Sequence, residues 1–179
     1  MSRNVTAVVL CEDKQSRTVL YRYLKHERGF ERVTVLPLPA GHQCGSQYVR
    51  ERFADEVRKQ RDKAVASVLI VHIDADNHSV EDRKRELAAE LARMGVPPRT
   101  QGEPIALVVP RWEMENWLHH YLGRPNVVEA ECYPKFKGDE GRAAKPGVEA
   151  LVALVDGHAV APSNLPSIGE AAIELRRLP

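Results

Sequence analysis

Cysteine is scarce in this chain and shows no pattern. Cys11, Cys44 and Cys132 are odd in number and have no CxxC or other zinc-like spacing, which suggests reduced thiols in a cytoplasmic protein. Charge of one sign is not in excess either. With a net charge of +1 no global basic field advertises nucleic-acid binding, and any such surface has to be a local patch. The longest apolar runs are too short for a membrane span, and the N-terminus lacks a signal-peptide pattern. There is no internal repeat, no P-loop and no dinucleotide fingerprint, although Gly41 and Gly45 flank a loop. What remains is 179 residues, 43% hydrophobic and 28% charged, enough for one compact domain with its core.

The hydrophobic pattern alternates. Val5 to Cys11 is a continuous β-branched run, as expected of a strand buried on both faces. Lys14 to Arg28 has helical spacing, with Gly29 as its stop. Val33 to Leu38 is a shorter strand, which Pro37 and Pro39 confine to its end or to an edge. A helix from Ser46 to about Lys63 follows, then a third strand, Val68 to Ile73. Ser79 and Asp82 form a capping pair for a helix carrying Val80, Leu87, Leu91 and Met94, which Gly95 ends. A fourth strand runs from Ile105 to Val109. Strand and helix in alternation predict an α/β fold, a three-layer Rossmann-like arrangement on a mostly parallel four-stranded sheet. The last third differs: a helix over 112–122, a Gly- and Pro-punctuated excursion over 123–145, then short helices near 146–155 and 167–177. These form a helical C-terminal extension packed on the same domain.

The stretch VLIVHIDAD, residues 68–76, carries the chemistry. An apolar run ends in two aspartates spaced i, i+2, which in a strand point Asp74 and Asp76 to the same side. Like charges held close are tolerated when a cation sits between them or one carboxylate keeps its proton. In such sheets ligands bind beyond the carboxyl ends of the strands. The first strand ends in Glu12-Asp13, the third in Asp74 and Asp76, and the fourth leads into Arg111, Glu113 and Glu115. Acids from three separate strand ends therefore converge at one edge, a candidate site for a hard divalent metal.

This constellation resembles the Toprim fold: an acid closing the first strand, a DxD closing a later one, and strand–helix alternation throughout. Pro110-Arg111-Trp112-Glu113-Met114-Glu115-Asn116-Trp117-Leu118 is similar to a P-x-x-E-(Ile/Met)-E-x-W-L signature of small stand-alone Toprim-like proteins related to OLD nucleases. The resemblance covers roughly residues 5–122, so that 1–122 is the Toprim-like core and 123–179 its extension. It implies a Mg2+- or Mn2+-dependent nuclease or related phosphodiester-processing hydrolase. Glu12, Asp74 and Asp76 would be its metal ligands, with Glu115 or Glu113 as a further acid. It implies nucleic acid as partner, DNA ahead of RNA, and admits an ATPase partner protein or a homo-oligomer. One departure stands out: relatives place a second acid one helical turn after the first, where this chain has Ser16. Asp13 stands where they have glycine. That puts the second metal in question.

Lys145, Lys135, Lys137 and Arg111 are candidates for phosphate contact, Lys145-Pro146 being best placed because a helix is expected right after it. His119 and His120 diverge by about 100° on a helix, so they cannot both face one ion. His72 lies on the face of Asp74, either as a partner of that carboxylate or as a core histidine. Trp112 and Trp117 read as packing anchors, and the run 81–87 as the solvated face of an amphipathic helix. Two other readings stay open. One is a receiver-like phosphoacceptor domain using Glu12, Asp13, Asp74 and Lys145. The other is a non-catalytic Toprim-like module that binds an ATPase or nuclease partner.

Overall fold

The computed structural model describes residues 3–40, 44–63 and 65–179, with side chains from residue 5 onward; Gly41 lies outside the described residues. Four strands, β1 (Arg3–Leu10), β2 (Phe30–Val35), β3 (Ser67–His72) and β4 (Ile105–Val108), form an all-parallel sheet in the order β2-β1-β3-β4. Six helices flank it: α1 (Lys14–Arg22), α2 (Gly45–Arg61), α3 (Val80–Arg93), α4 (Met114–Tyr121), α5 (Glu140–Val155) and α6 (Pro166–Leu175). Among the described residues no helix is long and apolar enough to cross a membrane.

Strand alternation divides the core in two. Ala7, Val9, Val68, Ile70, Ala106 and Val108 face one side, where α1, α4, α5 and α6 cover them. Leu10, Leu69, Val71, Ile73, Leu107 and Val109 face the other, against Val49, Phe53 and Val57 of α2 and Leu87 and Leu91 of α3. Both faces are sealed, so the middle strands are apolar throughout, as parallel sheets require. From β1 the chain steps outward to β2 over one face. It then crosses back through α2 on the opposite face to reach β3 on the other side of β1. Right-handed crossovers force that change of face, and the reversal puts the topological switch point, where such sheets bind ligands, at the carboxyl ends of β1 and β3.

Local chemistry explains most boundaries. Asp13 caps α1 by accepting the Ser16 N–H at 2.8 Å. After Arg22 the helix widens into one π-turn, Tyr23–Glu27, and stops at Gly29, which has φ +68°. Ser79 and Asp82 form the complete capping box expected for α3, and Gly95 at φ +64° lies just beyond its end. β2 begins three residues earlier than its apolar pattern suggests. Its pairing with β1 runs from Phe30 to Val35, because an edge strand needs only a buried Phe30 at its start and tolerates exposed Glu31 and Arg32. α5 also begins early. It takes in Lys145 and Pro146 as interior residues, so the expected helix start at Pro146 is corrected. The free edge of β4 is covered by α6, where the Leu107 N–H donates to Glu174 Oε2 at 3.1 Å and Arg99 pairs with the same carboxylate.

Candidate metal centre

At the switch point, β1 and β3 deliver Glu12 and Asp74 directly against each other. Glu12 Oε1 accepts the backbone N–H of Asp74 at 2.7 Å, which ties the two strand ends together. Asp74 is 5% exposed. Its Oδ1 lies 3.2 Å from Nε2 of the fully buried His72, close but not aligned as a hydrogen bond. The geometry leaves Asp74 Oδ1 and both His72 ring nitrogens buried without a hydrogen-bond partner. Burial first, and then the charge of Asp74, push the Glu12 carboxyl up to about 8. Burial opposes charging of His72, but Asp74, Glu12 and Asp13 outweigh it and raise the imidazole above its usual range. Gly45 closes the third side. A Cβ there would sit 2.8 Å from Glu12 Cβ and 2.9 Å from Glu12 Oε2, so only glycine lets the first turn of α2 approach the carboxylate this closely.

Asp76 is not placed by strand alternation. β3 ends at His72, and Asp76 adopts φ +52° in the left-handed region, so the shared-face argument does not extend to it. Two arginines hold its loop instead. Arg83, 3% exposed, donates to the carbonyls of Asp74 at 3.0 Å and Ala75 at 3.2 Å, and sits 3.4 Å from Asp76 Oδ2. Arg111 donates to the carbonyls of Asp76 at 3.0 Å and His78 at 2.8 Å. Asp76 itself is half exposed. Partial burial and Asp74 raise its pKa, while Arg83 opposes the rise.

The remaining acids gather beside this group. Glu113 Oε1 accepts the Tyr133 N–H at 3.0 Å, and Glu115 is 1% exposed. Lys135 Nζ sits between them, 2.8 Å from Glu113 Oε2, 3.0 Å from Glu115 Oε2 and 3.8 Å from Asp13 Oδ2. Burial pushes Glu115 up to about 7 against the pull of Lys135. Asp13 goes the other way: its burial is outweighed by the Ser16 hydroxyl at 2.6 Å and the Ser16 N–H, which hold it below the usual range. Ser16 is therefore bound to Asp13 and fully buried.

The structure thus brings Glu12, Asp74, Asp76, Glu113 and Glu115 to one sheet edge. Lys145 is not among them. It is exposed, within α5, and 4.0 Å from Glu149 on the next turn; the strand a receiver would need before it is a helix start instead. Among the described residues no three acid, imidazole or thiol groups already converge as a ligand shell, and Glu12 Oε1 is turned back onto the Asp74 amide. The donor set nonetheless fits a hard divalent ion. It offers carboxylate oxygens, including the Asp74 Oδ1 that makes no aligned hydrogen bond beside His72, and a like-charge repulsion that a cation would relieve.

His119 Nε2 meets the Pro134 carbonyl at 2.9 Å and His120 lies near Asn164. Trp117 is a buried anchor whose Nε1–H donates to Ser167 Oγ at 3.0 Å. Two residues escaped the sequence reading. Arg83 lay within a run read as a solvated face, yet its spacing from Val80 and Leu87 puts it on the apolar stripe of α3, where it is buried. Gly45 carried no motif, and only the approach of α2 to Glu12 reveals its role. No family model, curated protein or solved structure matches the chain.

Proposed function

We propose that this protein is a cytoplasmic, divalent-metal-dependent phosphodiester hydrolase, a nuclease of Toprim type acting on nucleic acid, with Mg2+ or Mn2+ as its ion. The observation that carries the reading is the junction of Glu12 and Asp74 at the topological switch point, where parallel sheets place their ligands. Oxygens of Glu12, Asp74 and Asp76 would hold the ion. Once bound, it would polarise a phosphodiester and lower the pKa of a water to make the nucleophile. The protein's own contribution is positional. Arg83 and Arg111 fix the carbonyls of Asp74, Ala75 and Asp76, and His72 backs Asp74 from inside the sheet. Both arginines are engaged with backbone, so phosphate contact falls to cationic groups outside this clamp.

The test is cleavage of supercoiled, linear and single-stranded DNA and of RNA, with Mg2+ or Mn2+, by wild type, Asp74→Asn and Glu12→Gln. Metal-dependent cleavage that falls by about two orders of magnitude or more in both variants supports the reading. Activity that survives both substitutions contradicts it. One observation favours a second reading, the non-catalytic module: Ser16, at the position where the Toprim resemblance would put an acid, occupies one oxygen of Asp13. Metal binding without cleavage of any substrate selects that reading.

A further inference from the structure

We propose that the groove between α1 and the start of α5 anchors single-stranded nucleic acid, holding backbone phosphate on Arg17 and Arg22 and a base on Tyr21. This rests on the nucleic-acid reading above. It supplies the cationic contact that Arg83 and Arg111, tied to backbone carbonyls, do not make.

Arg17, Thr18, Tyr21, Arg22, His26 and Gly141 line a cavity of about 260 Å³, and no carboxylate is among them. Elsewhere Arg28, Arg61, Arg83 and Arg99 are taken up by acids. Among the described residues Arg17 and Arg22 have neither an ion pair nor a side-chain hydrogen bond. The acids where α5 begins do not neutralise them, since Asp139 is paired with Arg142 and Glu140 with Lys14. The buried Nε of Arg22 finds no acceptor, a state that native polar groups rarely keep. A phosphate offers two oxygens at once to the planar fork of such a guanidinium.

Five residues apart in α1, the two arginines stand about 7.5 Å apart along its axis, and Tyr21 and Thr18 fall between them around the helix. Tyr21 is 40% exposed, its ring 6.2 Å from that of His26. An exposed ring between free cations is how proteins hold single strands, phosphates on the charges and a base on the ring. Gly141 forms the opposite wall, with open space where a Cβ would stand. The groove also leads to the candidate metal centre. α1 begins at Lys14, directly after Glu12 and Asp13. A second cavity, lined by Asp13, Lys14, Gln15, Lys135 and Glu140, places residues 14–15 and 140 next to residues 17–18 and 141 of the first. A strand held by Arg17 and Arg22 can therefore follow α1 to the carboxylates.

The experiment measures fluorescence anisotropy of a labelled oligothymidylate of about 20 nucleotides, in chelator, between about 50 and 200 mM salt. Arg17→Gln/Arg22→Gln should bind at least about tenfold more weakly than wild type. Its plot of log affinity against log salt should be shallower by about 1.4, the loss of two single-strand phosphate contacts. Tyr21→Ala should lose about tenfold with the slope unchanged, and Tyr21→Phe should bind as wild type does. Arg32→Gln/Lys63→Gln, which removes the same charge from exposed sites elsewhere, should bind within about twofold of wild type. No binding by wild type, full binding by the groove variant, or an equal loss in the charge control overturns the inference. A duplex of the same length bound as tightly as the single strand, and indifferent to Tyr21→Ala, overturns it as well. If the thermal midpoint of the double variant falls, Arg17→Glu at its exposed position decides by the same loss or its absence. Chelator keeps the two readings apart: groove-dependent binding by a protein that cleaves nothing refutes only the hydrolase.

Discussion

Replacing Glu12 with glutamine should stabilise the metal-free protein, and by more as the pH rises. Burial and the charge of Asp74 lift the Glu12 carboxyl from 4.5 to about 8. Each unit of difference between folded and unfolded chain is about 1.4 kcal/mol, so the gap corresponds to about 5 kcal/mol. The sign follows from proton counting. Between the two values the folded protein holds a proton that the unfolded chain has released, so stability present below about pH 4.5 is lost as the pH rises through about 8. Glutamine retains the Oε1 that accepts the Asp74 N–H and has no proton to lose. At about pH 5 the two proteins should differ by about 1 kcal/mol, and at about pH 9 the variant should be more stable by about 5 kcal/mol. Glu115, pushed up to about 7, adds the same slope to both proteins and cancels. Urea unfolding in chelator across this range measures the difference. A gap that does not widen with pH, or a variant less stable at the alkaline end, refutes the argument.

Binding of Mg2+ or Mn2+ near pH 7 should release about one proton, because Glu12 must ionise to ligate; calorimetry in buffers of different ionisation enthalpy reads it, and zero release contradicts the assignment. Gly45→Ala drives a methyl to 2.8 Å from Glu12 Cβ, so metal affinity should fall by about tenfold or more while stability drops by about 1–3 kcal/mol. Unchanged affinity would mean that Glu12 is free to move. Arg83→Met removes the donors to the Asp74 and Ala75 carbonyls and the 2.6 Å pair with Glu86. It should cost about 3–5 kcal/mol in thermal or denaturant unfolding, and a loss below about 1 kcal/mol would show that the loop stands without its clamp.

The sheet was legible because parallel strands buried on both faces are written as uninterrupted apolar runs: Val68–Ile73 is unmistakable and the Ser79–Asp82 box marks its helix. The convergence of Glu12 with Asp74 followed from chain order alone, since strand ends in such a sheet share one edge. What was not legible depends on contacts distant in sequence. Asp76 leaves the strand for the left-handed region because Arg83 and Arg111 hold the carbonyls around it, and the two lie on separate elements. β2 starts at Phe30 because its register with β1, not its own hydrophobicity, sets its bounds. Lys145 reads as a phosphate ligand only if a helix starts at Pro146; α5 starts at Glu140 and turns that lysine outward. Lys135 lies in a segment without periodicity, and nothing local marks it as the counter-ion of acids twenty residues upstream.

The most direct test of the account is calorimetric titration of Mg2+ and Mn2+ into wild type and the Asp74→Asn/Asp76→Asn variant. The account predicts saturable binding to wild type at up to millimolar metal, lost in a variant whose fold and unfolding midpoint are intact. Equal binding to both proteins, or none to wild type, would contradict a metal centre at the β1–β3 switch point.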